Sequence, residues 1–264
     1  MTADRCTVDD LAAALSAAER DGTSTPLASH RFVELDWADA RRVALARDAL
    51  RIDDGDELVG YKLGWTSAAM REALGIDRPN WGTLWRSQQL DGLLDPRPLR
   101  HAKVEPEIVY VAGRDLVGDT VTADDVIEGA LGWAVGIEVV HPRWPSFDFT
   151  WLDNTADNSS AHAVAMSEPV AFEGDPAGVA VYFSDGDEER PGRGDQAMGS
   201  PADAVAWLVR ALGAEGRSVE AGQIVFTGGI TAPFDVISGE RYTARSPQLG
   251  LVTIDVETPP PASP

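Results

Sequence analysis

Three glutamates in apolar segments are the residues whose spacing most directly predicts chemistry. Glu105 and Glu107 lie two residues apart in KVEPEIVYVA, and Glu138 lies within AVGIEVV. Side chains two residues apart on a strand project to the same face, so the first two carboxylates would be neighbours. Three carboxylates without clustered His or Cys form an oxygen-only set that suits Mg²⁺ or Mn²⁺ better than zinc. A solvated edge strand, with Pro106 marking the edge, is the alternative explanation of the pair.

Lys62 is the second candidate for chemistry because it interrupts an apolar, glycine-flanked segment, ELVGYKLGW. Burial disfavours the charged form of an amine, which suits a lysine that transfers protons. A lysine whose stem lies along the surface with its ammonium in water is equally compatible with this pattern. Only two lysines, Lys62 and Lys103, occur among the 22 basic residues.

Two polar segments could complete a site. In TGGIT, the backbone N–H groups around Gly228, Gly229 and Thr231 could approach an anionic ligand, although a tight turn explains the same pattern. A second polar cluster precedes an expected strand and would either form local turns or point into a pocket. Its members are Asp153, Asp157, Asn158, Ser159 and Ser160.

Composition excludes several classes of function. The 264 residues are 44% hydrophobic and 25% charged, as in globular proteins, and the net charge of −21 disfavours nucleic acid and anionic membrane surfaces. The single cysteine, Cys6, cannot form an intramolecular disulfide. The segment MTADRCTVDD lacks the basic and apolar regions of a secretion signal, so we expect a cytoplasmic protein.

The elements that must position these residues follow from periodicity and capping signals. The patterns predict an α+β fold, a sheet or β-roll with an N-terminal helical arm, and not a doubly wound sheet. DRPNWGTLWRS reads as a loop. We expect an N-terminal helical region with the Lys62 strand over 1–85, a β-roll catalytic domain over 86–257 and a flexible tail over 258–264. Helices are expected at 8–21, 37–52, 66–74, 123–131 and 201–212, and strands at 57–65, 104–112, 133–140, 161–166, 178–184, 223–227 and 249–256.

Six ordered segments closely resemble one known family. They are GYKLGWTSAAMREALGIDRPNWGTLW, KVEPEIVYVAGRDL, GIEVVHPRW, DNTADNSSA, SPADAVAWLVRAL and AGQIVFTGGITAP. Together they resemble the 2-oxopent-4-enoate hydratase and 4-oxalocrotonate decarboxylase family of the fumarylacetoacetate hydrolase superfamily. The resemblance implies a mixed β-roll with an N-terminal helical region, a homo-oligomer, and association in some members between the hydratase and its sister decarboxylase.

The resemblance also assigns residues. It places the metal ligands at Glu105, Glu107 and Glu138, with Mg²⁺ or Mn²⁺ as cofactor, and the catalytic lysine at Lys62. It matches Asp77 to the acid of a Gly-Val-Asp motif and Ser160 to the serine that ends Ala-Asp-Asn-x-Ser.

The resemblance implies a metal-dependent lyase of aromatic catabolism. In the leading interpretation, a 2-hydroxy-2,4-dienoate gains a proton at C5 and water at C4, giving a 4-hydroxy-2-oxo acid. Lys62 and Asp77 would then transfer protons while Ser160 orients substrate or water. Decarboxylation of a 2-oxo-enedioate is the alternative; an acylpyruvate hydrolase or a non-catalytic partner subunit is less favoured.

Departures from the family pattern leave the substrate open. Trp65 stands where a smaller Leu is usual, His141-Pro142 replaces Asp-Ser, and Gly199-Ser200-Pro201 replaces Gly-His-Pro. These changes predict a reshaped pocket.

Overall fold

The computed structural model describes residues 6–32 and 34–258. It combines helices with two mixed sheets, which confirms the α+β prediction. The helices are α1 Val8–Asp21, α2 Trp37–Asp53, α3 Ala68–Leu74, α4 Ala123–Glu128, α5 Trp151–Ala156 and α6 Pro201–Gly213.

Short strands make up the rest of the regular structure. They are β1 Leu58–Gly64, β2 Asn80–Trp85, β3 Leu93–Leu94, β4 Lys103–Ala112, β5 Ala130–Val140, β6 Ala161–Met166, β7 Ala180–Ser184, β8 Glu189–Arg193, β9 Ile224–Phe226, β10 Phe234–Asp235, β11 Arg241–Ser246 and β12 Gly250–Val256. The larger sheet has the order β2-β1-β9-β4-β5-β6, with β10 added to β4, and the smaller has the order β3-β12-β11-β7-β8.

Local sequence signals explain where the helices begin and end. The Thr7 side chain accepts from the backbone of Asp10, whose carboxylate bonds back to Thr7, so a capping box begins α1 and a left-handed Gly22 ends it. Ser67 caps α3 and the left-handed Gly75 ends it. Helix α1 therefore has the predicted bounds, and α3 begins two residues later than predicted and ends at the predicted residue.

The N-terminal arm packs as a small helical cluster against the main sheet. Leu11 and Leu15 of α1 meet Val43 of α2, with Trp144 and Ala156 from the segment around α5. A separate large core lies between the two sheets and beneath α6. Burial of these side chains fixes α5, and with it the turn that follows, over the edge of the larger sheet.

Several element predictions were wrong. Residues 80–85, expected in a loop, form the buried strand β2, because both Trp81 and Trp85 are in the interior. The helix expected at 123–131 ends at Glu128, since the chain enters β5 at Ala130. Helix α5 and four strands, β3, β8, β10 and β11, were not expected; most are too short or too polar to show a period.

The division of the chain at residue 85 stays a prediction. Strands β1 and β2, assigned to the N-terminal region, hydrogen bond in the same sheet as β4 and β5. Of the expected tail, 259–264 lie outside the described residues. Within the described part of the chain, no helix has the length and apolar character needed to cross a membrane.

Candidate active site

Strand register brings the three glutamates together. Strands β4 and β5 pair antiparallel with Glu105 directly opposite Glu138, and Glu107 lies two residues further along β4 on the same face. Like charges opposite each other on neighbouring strands destabilise a sheet. All three side chains line one cavity of about 620 Å³. The structure therefore favours a site over the solvated edge strand that was the alternative.

Lys62 reaches the same cavity from β1. Its ammonium lies 3.1 Å from Glu138 Oε2 and donates to the Ser159 carbonyl at 3.0 Å and to Ser159 Oγ at 3.2 Å. The lysine is 3% exposed, so its ammonium does not reach bulk water. The alternative of a lysine directed to the surface is thus excluded.

The three carboxyl groups outnumber the single lysine that reaches them, and their burial opposes ionisation. Burial raises the pKa of Glu105 to about 7, with a further contribution from Glu138. Burial, together with Glu138, raises the pKa of Glu107 well above its ordinary value, and burial also raises that of Glu138 against the opposing effect of Lys62. The site therefore favours a further positive charge.

A strained turn between α5 and β6 supplies the hydroxyl groups. Asn158, Ser159 and Ser160 all have left-handed backbone angles, with φ of 53°, 53° and 58°. Such angles cost about 1–3 kcal/mol for each residue and persist only where the surroundings fix them. The Asn158 side chain fixes this turn because it accepts from the Thr83 N–H and donates to the Thr83 carbonyl.

Amide side chains connect this turn to the cavity wall. Asn154 donates to Ser160 Oγ at 2.8 Å and accepts from Trp65 Nε1 at 2.9 Å. Ser159 Oγ donates to Asn80 Oδ1 at 3.0 Å. Ser160 thus lines the cavity as expected, while Ser159, and not Ser160, contacts Lys62.

The TGGIT segment closes one side of the cavity. The Gly228 N–H donates to Glu107 Oε2 at 2.7 Å, so this backbone group orients a carboxylate. A Cβ on Gly229 would lie 1.9 Å from Glu105 Oε2, so a larger residue at this position would displace that carboxylate. Gly229 and Thr231 line the cavity. Their role in substrate binding stays a prediction.

Other predicted cluster members have structural contacts. Asp153 accepts from the Ser29 N–H and Thr150 hydroxyl, and Asp157 pairs with Arg47 and Arg143.

Asp77 does not join the other predicted residues. Its side chain is 65% exposed and pairs with the neighbouring Arg78, which lowers its pKa. It follows α3 and is not among the residues that line the cavity. Its proton-transfer role therefore has no geometric support in this conformation and stays a prediction.

The cavity wall contains residues that the sequence reasoning missed. Met70 of α3 and two aromatic residues, Phe147 and Phe149, form an apolar part of the wall, and Asn154 adds an amide. The polar segment DNTADNSSA could have identified Asn154 as a candidate site residue. Residues 147–149 show no periodic pattern that would predict a place in a site. Only the tertiary fold places them there.

The donor set fits a hard divalent cation. Glu107 Oε1 and Glu138 Oε1 are buried and have no hydrogen-bond partner. Carboxylate oxygens are the ligands that Mg²⁺ and Mn²⁺ prefer. Across residues 6–32 and 34–258, however, no group of three or more His, Cys, Asp or Glu side chains is already arranged to hold an ion. An ion would therefore have to draw these carboxylates closer together.

Comparisons with known proteins found relatives that cover most of the chain. The chain is 32% identical over 92% of its length to 2-keto-4-pentenoate hydratase 1 of Dechloromonas aromatica strain RCB, covering 94% of that protein. It is 31% identical over 84% of its length to 4-oxalocrotonate decarboxylase of Pseudomonas putida, covering 86% of it. No protein-family model matches the sequence.

A solved structure confirms the predicted fold type. The 4-oxalocrotonate decarboxylase from Pseudomonas putida G7, complexed with magnesium and adipate, matches with a TM-score of 0.90 at 29% identity. The match covers 94% of this chain and 97% of that one. More distant structures named for fumarylpyruvate and fumarylacetoacetate hydrolases share the fold.

Proposed function

We propose a divalent-metal-dependent reaction for this chain, which belongs to the lyase family of 2-keto-4-pentenoate hydratases and 4-oxalocrotonate decarboxylases. The proposed reaction adds water to a 2-hydroxy-2,4-dienoate and gives a 4-hydroxy-2-oxo acid. One observation carries the proposal: Glu105, Glu107 and Glu138 meet the buried Lys62 in a single cavity.

The three glutamates are the proposed ligands of Mg²⁺ or Mn²⁺. An ion held there would supply Lewis acidity, which withdraws electrons from the conjugated system of a bound 2-oxo or 2-hydroxydienoic acid. The Gly228 N–H would hold Glu107 in place. Since ligation keeps these carboxylates ionised, proton transfer falls to other groups.

Lys62 is the proposed proton-transfer residue. Its three contacts, to Glu138 and to two atoms of Ser159, fix the ammonium at the cavity wall. Ser160, held by Asn154, would orient water or substrate. Asp77 remains a candidate partner of Lys62, although α3 would have to bring its exposed carboxylate to the cavity.

Decarboxylation of a 2-oxo-enedioate is the second candidate. It is supported by the 0.90 TM-score to a 4-oxalocrotonate decarboxylase and by the decarboxylase relative. An acylpyruvate-type hydrolase has less support, because no histidine of the described residues lines the cavity. A non-catalytic partner subunit has less support because the carboxylates and Lys62 are all present.

Turnover with a substrate panel tests the proposal. The protein, freed of metal with EDTA and then given Mg²⁺ or Mn²⁺, is assayed with 2-hydroxypenta-2,4-dienoate and with 2-oxohex-3-enedioate, following loss of the dienol and release of CO₂. We expect metal-dependent hydration. Release of CO₂ alone would select decarboxylation, and no turnover of either compound would refute the proposal.

A lysine variant tests the proton-transfer role. Lys62→Met should lower kcat at least about 100-fold while Mn²⁺ binding is retained. Ser159→Ala, which removes only the hydroxyl contact, should lower kcat less. Unchanged kcat in Lys62→Met would contradict the role of this residue.

We infer further that the protein is a cytoplasmic homo-oligomer that could associate with a sister enzyme of its reaction sequence. The family resemblance supports this inference, and several large apolar side chains are exposed in the single chain, among them Ile52, Leu131 and Leu251. Light scattering coupled to size-exclusion chromatography would give the mass, and a monomer at micromolar concentration would refute this assembly.

A further inference from the structure

Both lysines of the chain line the same cavity, and this distribution is unusual. The other 20 basic residues are arginines, because Lys and Arg together number 22 and only Lys62 and Lys103 are lysines. No arginine within residues 6–32 and 34–258 is among the cavity-lining residues. The proposed reaction uses Lys62 and leaves Lys103 without a role.

The strand period places Lys103 at a defined distance from the carboxylates. Lys103, Glu105 and Glu107 alternate along β4 with Val104 and Pro106, which are buried on the other face. Two residues of a strand span about 7 Å. The backbone of Lys103 is therefore displaced from that of Glu105 by about the length of a short dicarboxylic acid.

The contacts of Lys103 leave its ammonium accessible. The side chain is 32% exposed and pairs with Asp235, its register partner on β10, whose side chain is 73% exposed. An exposed ion pair of this kind contributes at most about 1 kcal/mol, so an incoming anion can compete with it. The ammonium also lies 5.5 Å from the ring centroid of Phe147, an apolar wall residue.

Lys103 brings one positive charge to one end of the cavity. It lies at the end of β4 away from Glu107, and Phe147 lies beside it in the wall. A carboxylate bound there would replace Asp235 as the partner of the Lys103 ammonium and would lie beside the ring of Phe147; a contact between two ionised groups is stronger than a neutral hydrogen bond.

We propose that Lys103 binds a second carboxylate at the far end of the substrate, so that the preferred substrate is a dicarboxylic 2-oxo or 2-hydroxydienoic acid. This inference rests on the proposed function, because it takes the first carboxylate to lie beside the glutamates. A dienedioate that undergoes hydration and an enedioate that undergoes decarboxylation both carry this group, which in the second case is the carboxylate released as CO₂. Lys103 is a binding residue and takes no part in proton transfer.

A matched pair of non-reacting acids tests the inference directly. Isothermal titration calorimetry compares 2-oxoadipate with 2-oxohexanoate, which lacks only the distal carboxylate, in saturating Mg²⁺. We expect the protein to bind 2-oxoadipate at least about tenfold more tightly. Lys103→Gln should abolish this preference without changing the affinity for 2-oxohexanoate, and Lys103→Arg should retain part of it.

Asp235→Asn is the control variant, because it breaks the same ion pair but keeps the ammonium. It should keep or increase the preference for 2-oxoadipate. Equal affinity for the two acids in the unmodified protein, a preserved preference in Lys103→Gln, or its loss in Asp235→Asn would each overturn the inference while leaving the proposed function intact. If neither acid binds, both the proposed function and the inference fail.

Discussion

Two buried clusters of charge in this molecule differ in how completely the chain pairs them. Next to the helical arm, Asp157 accepts from Arg143 at 2.6 Å and from Arg47 at 3.0 Å, and its second oxygen accepts from the Arg143 N–H. Glu19 accepts from Arg47 at 2.8 Å and Arg51 at 2.7 Å. We call these five residues the arginine network.

The cavity cluster of Glu105, Glu107, Glu138 and Lys62 has three acids for one base, and two of its carboxylate oxygens are unpartnered. Burial of charge is costly in both places. In the arginine network, arginine side chains of the chain itself neutralise the buried carboxylates. In the cavity, one lysine faces three glutamates, and we propose that a bound cation supplies the missing positive charge. On the proposed function, this difference separates a structural cluster from a metal-binding one.

The largest expected effect comes from breaking the arginine network. Arg143 is fully buried, and Arg143→Met would leave Asp157 with Arg47 as its remaining cation. Removing one partner of a buried pair costs about 3–5 kcal/mol. Urea unfolding should show a decrease of this size in the free energy of unfolding.

Arg241→Met is the matched control for that variant. It removes the exposed pair between Arg241 and Asp255, for which the expected loss is below about 1 kcal/mol. Equal losses in the two variants would contradict the structural role of the arginine network.

The next effect is a loss of stability in acid. Burial opposes ionisation of Glu19, but Arg47, Arg143 and Arg51 outweigh it and lower its pKa to about 2 from an ordinary 4.5. A lowered pKa in the folded state stabilises the fold above pH 4.5, and this stabilisation is lost as the pH falls toward 2. It amounts to roughly 3 kcal/mol.

Glu19→Gln isolates this contribution. The variant should be less stable at neutral pH, and its unfolding free energy should fall less steeply between pH 4.5 and 2. Denaturant titrations at a series of pH values measure both slopes, and parallel slopes would argue against the assigned pKa.

A smaller effect on stability is expected in the cavity. In Glu107→Gln the amide oxygen can still accept from the Gly228 N–H, while an unfavourable buried charge is removed. In EDTA the unfolding free energy should therefore change by no more than about 1 kcal/mol. Metal-dependent turnover should be lost. A stability loss as large as that of Arg143→Met would mean that the cavity carboxylates hold the fold together.

The sequence predicted the parts of this picture that depend on local period. Alternation along β4 placed Glu105 and Glu107 on one face, and capping residues located α1 and α3. The fold class followed from the spacing of the elements.

The features that depend on tertiary contacts could not be predicted from local sequence patterns. Strand β2 was taken for a loop because Asp77, Pro79, Asn80 and Gly82 are turn-forming residues, although the tryptophans of the segment are buried. The contact of Ser159 with Lys62 depends on a left-handed turn fixed by Asn158. The partners Arg47 and Asp157 are 110 residues apart, and no local pattern joins them.

The central claim is that the cavity carboxylates bind a divalent cation. A metal titration tests this claim most directly. Isothermal titration calorimetry of EDTA-treated protein with Mn²⁺ should show one ion bound per chain. The Glu105→Gln/Glu107→Gln double variant, which keeps the arginine network intact, should bind none. No binding by the unmodified chain, or undiminished binding by the double variant, would contradict the account.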